Sequence, residues 1–146
     1  TSPEMMRSPL FIASNLGMAI RLTSGALATL IEEATRAAPQ EACGLLLGTH
    51  RIEAAVPCDN VHANPVRHFE IDPAALIAAH RRARGGGPAV LGYYHSHPNG
   101  RAEPSATDRA MASGDGRIWA IVAAGAVRFW RDDPGGFVEL AVDTHD

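Results

Sequence analysis

The sequence contains no lysine: all 13 of its basic residues are arginines, and 16 acidic residues bring the formal charge to −3 at pH 7. Because the only basic cluster is Arg81, Arg82 and Arg84, we exclude general nucleic-acid binding. Long apolar runs are also missing. None approaches the roughly 20 residues of a membrane-spanning helix, and the N-terminus lacks the pattern of a signal peptide. Since only Cys43 and Cys58 are present, at most one disulfide can form, and we expect a reduced, cytoplasmic protein that binds no membrane.

What the sequence does contain is typical of one globular domain. Its 146 residues are 46% hydrophobic and 20% charged. A compact chain of this length buries about 68–70% of its unfolded surface, which is enough for a core. We predict an N-terminal extension over residues 1–17, of which Thr1 and Ser2 are interpreted as a cloning remnant. A single domain over residues 18–146 follows.

The spacing of apolar residues and turn residues predicts a mixed α/β domain. Its predicted strands cover residues 18–22, 42–48, 51–56, 69–71, 90–94, 118–123, 127–131 and 137–142. One helix follows Thr23 or Ser24 and ends at Pro39, a second runs from Asp72-Pro73 to Ala83, and a third runs from Pro104-Ser105 to about Ser113. The run over 42–48 is continuously apolar, as expected of a strand that is buried on both faces.

The segment with the most chemical content follows the predicted strand at 90–94. His95 and His97 lie two residues apart, so in an extended chain both imidazoles point to the same side. Ser105 opens a predicted helix, and Asp108 lies in its first turn. Two histidines and one carboxylate supply three ligands for zinc and leave a fourth position open. That arrangement is typical of a catalytic zinc site, because structural zinc is normally closed by four protein ligands.

Each of these residues also has an ordinary structural explanation. A His-x-His pair alone is weak evidence for a metal. Ser105 and Asp108 equally fit a capping box, which stabilises a helix start and needs no catalysis. A hydrolytic zinc site also needs a base. Glu41, directly before the apolar run at 42–48, is the candidate, although a glutamate there can also be an exposed residue at the start of a strand.

Taken together, these residues match the signature of a known family. The pattern His-x-His-x7-Ser-x2-Asp occurs at His95, His97, Ser105 and Asp108 with every spacing met, and Glu41 stands upstream in Glu-Ala-Cys-Gly-Leu-Leu-Leu-Gly. Over nearly its whole length the sequence resembles the JAMM metalloproteases, the catalytic MPN/JAB domains, in their short prokaryotic stand-alone form. The motifs of the zinc nucleoside deaminases and of the zincins are absent.

The resemblance implies both a fold and a set of roles. The fold is a single α/β domain of MPN/JAB type: a mixed, mostly antiparallel sheet flanked by helices, with a core like that of the cytidine deaminases. His95, His97 and Asp108 are the implied ligands of Zn²⁺. Glu41 is implied as the base that takes the proton of the attacking water and gives it to the leaving amine. Ser105 is implied as the hydrogen-bond donor to the oxyanion.

The resemblance also implies a class of substrate. Members of the family usually cleave an isopeptide or peptide bond after the C-terminal glycine of a ubiquitin-like protein. We therefore expect a deubiquitinase-like zinc protease whose partner is a ubiquitin-like or sulfur-carrier-like protein, with its glycine-ended tail along a strand edge near the zinc. Trimming of a sulfur-carrier protein is the alternative activity. A non-enzymatic MPN scaffold is disfavoured because all five motif residues are present, and a homodimer is left open.

Overall fold

The computed structural model describes residues 19–146. The predicted extension at 1–17 lies outside these residues, so its boundary stays a prediction. The described strands are β1 (Ile20–Thr23), β2 (Cys43–Gly48), β3 (Ile52–Cys58), β4 (Ala89–Ser96), β5 (Ile118–Ala123), β6 (Ala126–Asp133), β7 (Gly136–Leu140) and β8 (Val142–His145). The described helices are α1 (Ser24–Ala37), α2 (Pro73–Arg84) and α3 (Ala106–Met111).

All of these strands form one sheet in the order β7-β6-β5-β4-β2-β3-β1-β8. β2 is antiparallel to β3 and β4, and β6 is antiparallel to β5 and β7. β1 runs parallel to β3 and β8, and β4 runs parallel to β5. The prediction of a mixed, mostly antiparallel sheet is confirmed. Because parallel neighbours need a crossover connection, the chain between β4 and β5 leaves the sheet and carries α3 back to the end of β4.

The continuously apolar strand β2 lies in the middle of the sheet and is buried on both faces, as its sequence predicts. Leu46 joins a core that includes Leu30 of α1. Leu45 and Leu47 belong to a second core, which includes Ala79 of α2. Since neighbouring residues of a strand point to opposite faces, the two longer helices cover opposite sides of the sheet.

The two longer helices begin where the sequence predicts. Thr23 caps α1, because its hydroxyl oxygen accepts a hydrogen bond from the N–H of Ala26. Asp72 caps α2 in the same way by accepting from the N–H of Ala74, and Pro73 occupies the first turn. No helix within residues 19–146 combines the length and the apolar character needed to cross a membrane.

Two predicted strands have different bounds in the structure. Residues 69–71 form no strand, and Ile71 makes only an isolated bridge to Asn60. β4 continues past the predicted end at Tyr94 as far as Ser96. It does so because β2 and β5 both pair with it there, which no local sequence pattern can show.

The end of the chain differs from its prediction as well. The single strand predicted at 137–142 is divided into β7 and β8, with Ala141 between them. Leu140 pairs with β6, whereas Val142 pairs with Ile20 of β1. Because one residue joins the two outermost strands of the sheet, its two edges come together, and the sheet curls strongly.

Candidate active site

Three elements bring the predicted site residues together. β2 and β4 are antiparallel with Cys43 opposite His95, so that Glu41, two residues before Cys43, comes opposite His97. α3 begins beside the end of β4 and carries Asp108 in its first turn. The alignment of Glu41 with the histidines therefore depends on strand pairing, and that of Asp108 depends on the crossover.

The side chains of His95, His97 and Asp108 direct three ligand atoms at one point. The two Nε2 atoms lie 3.0 Å apart. Asp108 oxygens lie 3.1 Å from Nε2 of His95 and 3.2 Å from Nε2 of His97. A tetrahedral zinc ion with bonds of about 2.0–2.1 Å holds its ligand atoms about 3.3–3.4 Å apart. The three atoms are therefore close to the spacing that zinc requires.

The imidazole of His97 is held in the tautomer that a metal ligand needs. Its Nδ1 lies 2.7 Å from the carbonyl oxygen of Arg101, and only a protonated Nδ1 can donate there. In the neutral ring Nε2 then carries a lone pair, which faces His95 and Asp108. Lone pairs at this spacing repel one another unless a proton or a cation lies between them. These residues therefore fit a divalent metal ion.

The imidazole of His95 is oriented by aromatic packing. His95 is 1% exposed, and its ring stacks on Phe69 with 4.3 Å between the ring centroids and 17° between the planes. The edge of the same ring meets Trp119, at 5.7 Å between centroids. Its Nδ1 has no hydrogen-bond partner within residues 19–146, although buried polar atoms usually have one. On the Nδ1 side, aromatic packing and not a hydrogen bond therefore sets the direction of this ring, while Nε2 faces Asp108 and His97.

The carboxylate of Glu41 approaches the same point. It forms a group with His95 and His97 in which one ligand atom of each residue lies within 4.8 Å of the others. The two histidines therefore have a carboxylate near them from Glu41 as well as from Asp108. Asp108 is in direct contact with both imidazoles, whereas the Glu41 side chain makes no hydrogen bond to either ring among the described residues.

Burial and hydrogen bonding change the protonation of these groups. Burial raises the pKa of Glu41 to about 7, against the opposing effect of His97. Burial lowers the pKa of His95. For His97 burial acts in the same direction, but hydrogen bonds to Asp108 and to the backbone of Arg101 outweigh it and leave the pKa raised. Burial favours the neutral form of Asp108, yet hydrogen bonds to both imidazoles hold its pKa far below the usual range, so it is ionised.

Ser105 and Asp108 form the capping box that the sequence also predicts. The N–H of Ser105 donates to Asp108 Oδ2 at 2.9 Å, and the N–H of Asp108 donates to Ser105 Oγ at 3.0 Å. The predicted capping box is therefore present, and its hydrogen bonds hold the Asp108 carboxylate against the two imidazoles. The Ser105 hydroxyl group donates no hydrogen bond within residues 19–146, so its O–H is available as a donor to a substrate.

A cleft of about 720 Å³ opens beside these residues and is lined by Glu41, His97 and Ser105. Its walls include residues 66–68 and residues 97–101. Within residues 19–146, β2 and β4 are paired on both sides, and the residues that line the cleft lie in loops and at the start of α3. The strand edge along which the tail is expected to lie stays a prediction.

Four residues outside the predicted set support the site: Asn60, Phe69, Ser96 and Trp119. The hydroxyl oxygen of Ser96 accepts a hydrogen bond at 2.8 Å from the N–H of Ala42, which follows Glu41 in the chain. Ser96 could have been suspected from its place between the two histidines. The other three come from distant parts of the chain, and no local spacing indicates them.

The two cysteines lie outside the catalytic chemistry. Cys43 and Cys58 are free thiols, opposite one another on β2 and β3. Burial raises the pKa of Cys43 to about 12, so its nucleophilic thiolate does not form near neutral pH.

Fold and side chains together define an MPN/JAB domain with a group of residues that could bind a metal ion. Residues 23–133 match the family described as prokaryotic homologs of the JAB domain, and the chain belongs to that family. All five predicted site residues lie within the matched part.

Proteins similar to this chain agree with that membership. The desampylase of Haloferax volcanii is 35% identical over 112 residues, which cover 75% of this chain and 81% of that protein. A probable TtuB-protein conjugate cleaving protease of Thermus thermophilus is 36% identical over 92 residues, which cover 63% of this chain and 62% of that protein. The crystal structure of a JAB1/MPN domain protein from Archaeoglobus fulgidus aligns with a TM-score of 0.59 over 86% of this chain and 98% of that chain, at 22% identity. The predicted MPN/JAB fold is confirmed.

Proposed function

We propose that the protein is a zinc-dependent JAMM-type protease that cleaves isopeptide or peptide bonds after the C-terminal glycine of a ubiquitin-like modifier. The observation that carries the proposal is the convergence of ligand atoms of His95, His97 and Asp108, which lie 3.0 to 3.2 Å apart. Glu41 and Ser105 line the cleft beside them. The names of the relatives, a desampylase and a probable conjugate cleaving protease, support the same class of reaction.

Zinc is the metal that suits these donors best. Two imidazole nitrogens and one carboxylate at tetrahedral spacing leave a fourth position open. When bound, the ion supplies a Lewis acid that polarises the scissile carbonyl and lowers the pKa of water. We assign Asp108 as the third ligand because it contacts both imidazoles, whereas the Glu41 side chain hydrogen-bonds to neither within the described chain.

Glu41 is then the residue that moves the proton. It takes a proton from the attacking water while the new C–O bond forms, and it gives this proton to the leaving amine while the C–N bond breaks. The products are a carboxylate on the modifier and a free amine on the target. Burial raises the pKa of Glu41 to about 7 in the metal-free protein. Its carboxylate also lies within 4.8 Å of ligand atoms of His95 and His97, so it can reach a water molecule held beside them.

Ser105 stabilises the negative charge that develops on the carbonyl oxygen. Its oxygen already accepts from the N–H of Asp108, which limits the directions in which its own proton can point. Such a preorganised donor is worth more in the transition state than in the ground state, and removing one typically costs about 10²–10³-fold in rate.

The depth of the site suits a thin, glycine-ended chain. His95 is 1% and Asp108 4% exposed, so the scissile carbonyl has to reach a point that bulky side chains cannot approach. Two glycines before the scissile bond remove that obstacle. The backbone of the tail then finds hydrogen-bond partners in the loops that form the cleft walls.

Trimming of a sulfur-carrier protein is the second candidate function. The same cleft and the same residues support it, because the two reactions differ only in whether the leaving amine belongs to a lysine side chain or to an α-amino group. We place either activity in the cytoplasm. The sequence supports this placement, because two cysteines are far fewer than the disulfide-rich composition of small secreted domains.

A cleavage assay tests the proposal. The zinc-loaded protein is incubated with a ubiquitin-like protein that ends in Gly-Gly, joined either to a peptide lysine by an isopeptide bond or to a linear C-terminal extension. Intact-mass measurement should show the free modifier, released faster from the isopeptide substrate. The Glu41→Gln variant should keep zinc and lose about 10²–10⁴-fold in rate.

Two outcomes of that assay overturn the proposed function. One is that the wild-type protein cleaves neither substrate, and the other is that Glu41→Gln is as active as wild type. Faster cleavage of the linear substrate would favour precursor trimming over deconjugation.

A further inference from the structure

The amide group of Asn60, outside the motif, donates hydrogen bonds to three backbone carbonyls near the site. Its Nδ2 lies 3.0 Å from the carbonyl oxygen of Glu41 and 3.0 Å from that of His68. A longer contact of 3.4 Å joins it to the carbonyl oxygen of Pro65. The two N–H groups of this amide therefore have three acceptors: one is the backbone carbonyl of the proposed base, and the other two belong to the loop over residues 61–70.

The oxygen of the same amide group also takes part in hydrogen bonds, as an acceptor. Asn60 Oδ1 accepts hydrogen bonds from the N–H of His62 and from the N–H of Glu70, each at 3.1 Å. One side chain thus closes residues 61–70 into a compact loop. A side chain that served a single turn would need only one or two of these bonds.

The first consequence concerns Glu41. Its carbonyl oxygen accepts from Asn60, and its N–H donates to the carbonyl oxygen of Pro65 at 2.8 Å. Both backbone groups of Glu41 are therefore bound by Asn60 or by the loop that Asn60 closes. These bonds fix the backbone from which the Glu41 side chain enters the cleft.

The second consequence concerns His95. Asn60 binds His68 and Glu70, the neighbours on either side of Phe69. The ring of Phe69 stacks on the imidazole of His95 at 4.3 Å between centroids. His95 has no hydrogen bond at Nδ1 within residues 19–146, so this stacking is a main constraint on its orientation.

We propose that Asn60 is a positioning residue that couples Glu41 to His95 through the loop over residues 61–70. The inference rests on the proposed function, in which Glu41 is the base and His95 a metal ligand. The hydrogen bonds of this one amide group set the distance between Glu41, which moves the proton, and His95, which holds the metal. Catalysis is sensitive to such distances, since a displacement of about 1 Å can cost about 10²-fold in rate.

Three variants test this coupling. Asn60→Ala removes all five side-chain hydrogen bonds. Asn60→Asp keeps the shape and the accepting oxygen but faces the carbonyl oxygens of Glu41, Pro65 and His68 without a donor, and it serves if Asn60→Ala does not fold. Asn64→Ala is the matched control, because Asn64 lies in the same loop, is exposed, and makes no side-chain hydrogen bond within residues 19–146.

The first readout uses the metal-free protein and needs no activity. In Asn60→Ala we expect the amide protons of Glu41 and Glu70 to exchange about tenfold faster than in wild type, because all the bonds that hold the loop are lost. In Asn60→Asp we expect this change for Glu41 only, because the remaining oxygen still accepts from the N–H of Glu70. We also expect the NMR signals of the His95 ring protons to move, since they lie in the ring current of Phe69. Unchanged exchange and unchanged His95 signals in both variants would overturn the coupling.

The second readout is kinetic. With zinc bound, kcat of both Asn60 variants should fall about 10–100-fold, while KM changes at most about threefold. Asn64→Ala should match wild type. A kcat within twofold of wild type in both Asn60 variants, with normal zinc content, would reduce Asn60 to a structural residue. If the wild-type protein itself proves inactive, the proposed function fails, and the exchange and NMR results still decide whether Asn60 couples the two residues.

Discussion

His95 and His97 lie only two residues apart, but the structure holds them by different means, one in an inner region of the site and one in an outer region. The inner region consists of His95, Asp108, Phe69 and Trp119, where His95 is enclosed by aromatic rings. The outer region consists of Glu41, His97 and Ser105 with the loop over residues 98–104, and it faces the cleft. The His95 side chain is 1% exposed, and that of His97 is 11% exposed.

This difference suggests that the two regions of the proposed metal site have different roles. Packing in the inner region fixes a ligand without a hydrogen bond at its second nitrogen, whereas the outer region fixes His97 through the carbonyl oxygen of Arg101. Packing tolerates little movement, because protein interiors are close-packed. A hydrogen bond to a loop leaves room for adjustment. Apart from the proposed ligands themselves, we therefore expect changes in the inner region to affect metal binding and stability, and changes in the outer region to affect substrate binding and the catalytic rate.

The largest expected effects come from removing either histidine. His95→Ala and His97→Ala should each lose zinc and at least about 10³-fold in activity, because zinc keeps only two protein ligands. They should differ in stability. His95→Ala opens a cavity in the inner region and should cost about 2 kcal/mol or more, whereas His97→Ala at the cleft should cost less than about 1 kcal/mol.

Urea unfolding of the metal-free variants, together with zinc analysis, checks this prediction. Equal destabilisation by the two variants would remove the distinction between inner and outer regions. Stoichiometric zinc in either variant would contradict the ligand assignment.

A smaller effect is expected from one aromatic change in each region. Phe69→Leu removes the ring that stacks on His95 and should weaken zinc binding about tenfold, as loss of supporting contacts around a metal site typically does. Trp130→Phe removes the N–H that donates to the carbonyl oxygen of Ala102 at 3.1 Å, next to the Arg101 carbonyl that binds His97.

For Trp130→Phe we expect KM to rise about threefold while zinc affinity is unchanged, because a loosened loop costs substrate binding more than metal binding. Competition with a zinc chelator and steady-state kinetics separate the two effects. Phe137→Leu is the control for Phe69→Leu, since Phe137 packs on Trp119 without stacking on His95. An exchange of the two phenotypes would contradict the division.

The smallest expected effect is a dependence of stability on pH that comes from Glu41. Folding raises the pKa of Glu41 from 4.5 to about 7 in the metal-free protein. The folded state therefore holds this proton more tightly than the unfolded chain. The resulting stabilisation is complete below pH 4.5 and is lost as pH rises through about 7.

The Gln side chain of Glu41→Gln does not titrate. The free energy of unfolding of this variant, relative to that of wild type, should therefore rise by about 1–2 kcal/mol between pH 4 and pH 8. The rise stays in this range because the cleft partly solvates the Glu41 carboxyl group. Urea unfolding in the presence of a chelator measures the gain. In the control variant Glu139→Gln the sign is reversed, since hydrogen bonds from Arg128 lower the pKa of Glu139. A difference between Glu41→Gln and wild type that is constant over this range would contradict the account.

Part of the site could be predicted because its geometry is local. The two histidines share a side because a strand repeats every two residues, and Asp108 meets them because a capping box holds it in the first turn of α3. The place of Glu41 depends on the pairing of β2 with β4, which are far apart in sequence, and it was identified through the resemblance to a family.

The remaining features could not be predicted because they depend on long-range contacts. The sequence predicts a short strand at Phe69, but this residue lies in a loop that Asn60 closes, and its ring stacks on His95, 26 positions away. The extension of β4 to Ser96 depends on neighbours on both sides. The division of the last predicted strand depends on Val142, which pairs with β1 so that β8 becomes the edge strand opposite β7.

The most direct test of the central claim is the zinc content of two variants that differ from wild type by one carboxylate each. Glu41→Gln and Asp108→Asn both replace a carboxylate by an amide of nearly the same shape. After incubation with one equivalent of zinc and gel filtration, elemental analysis should find about one zinc per chain in Glu41→Gln and almost none in Asp108→Asn, with activity lost in both. Zinc retained by Asp108→Asn and lost by Glu41→Gln would show that the roles of the two carboxylates are reversed and would contradict the account.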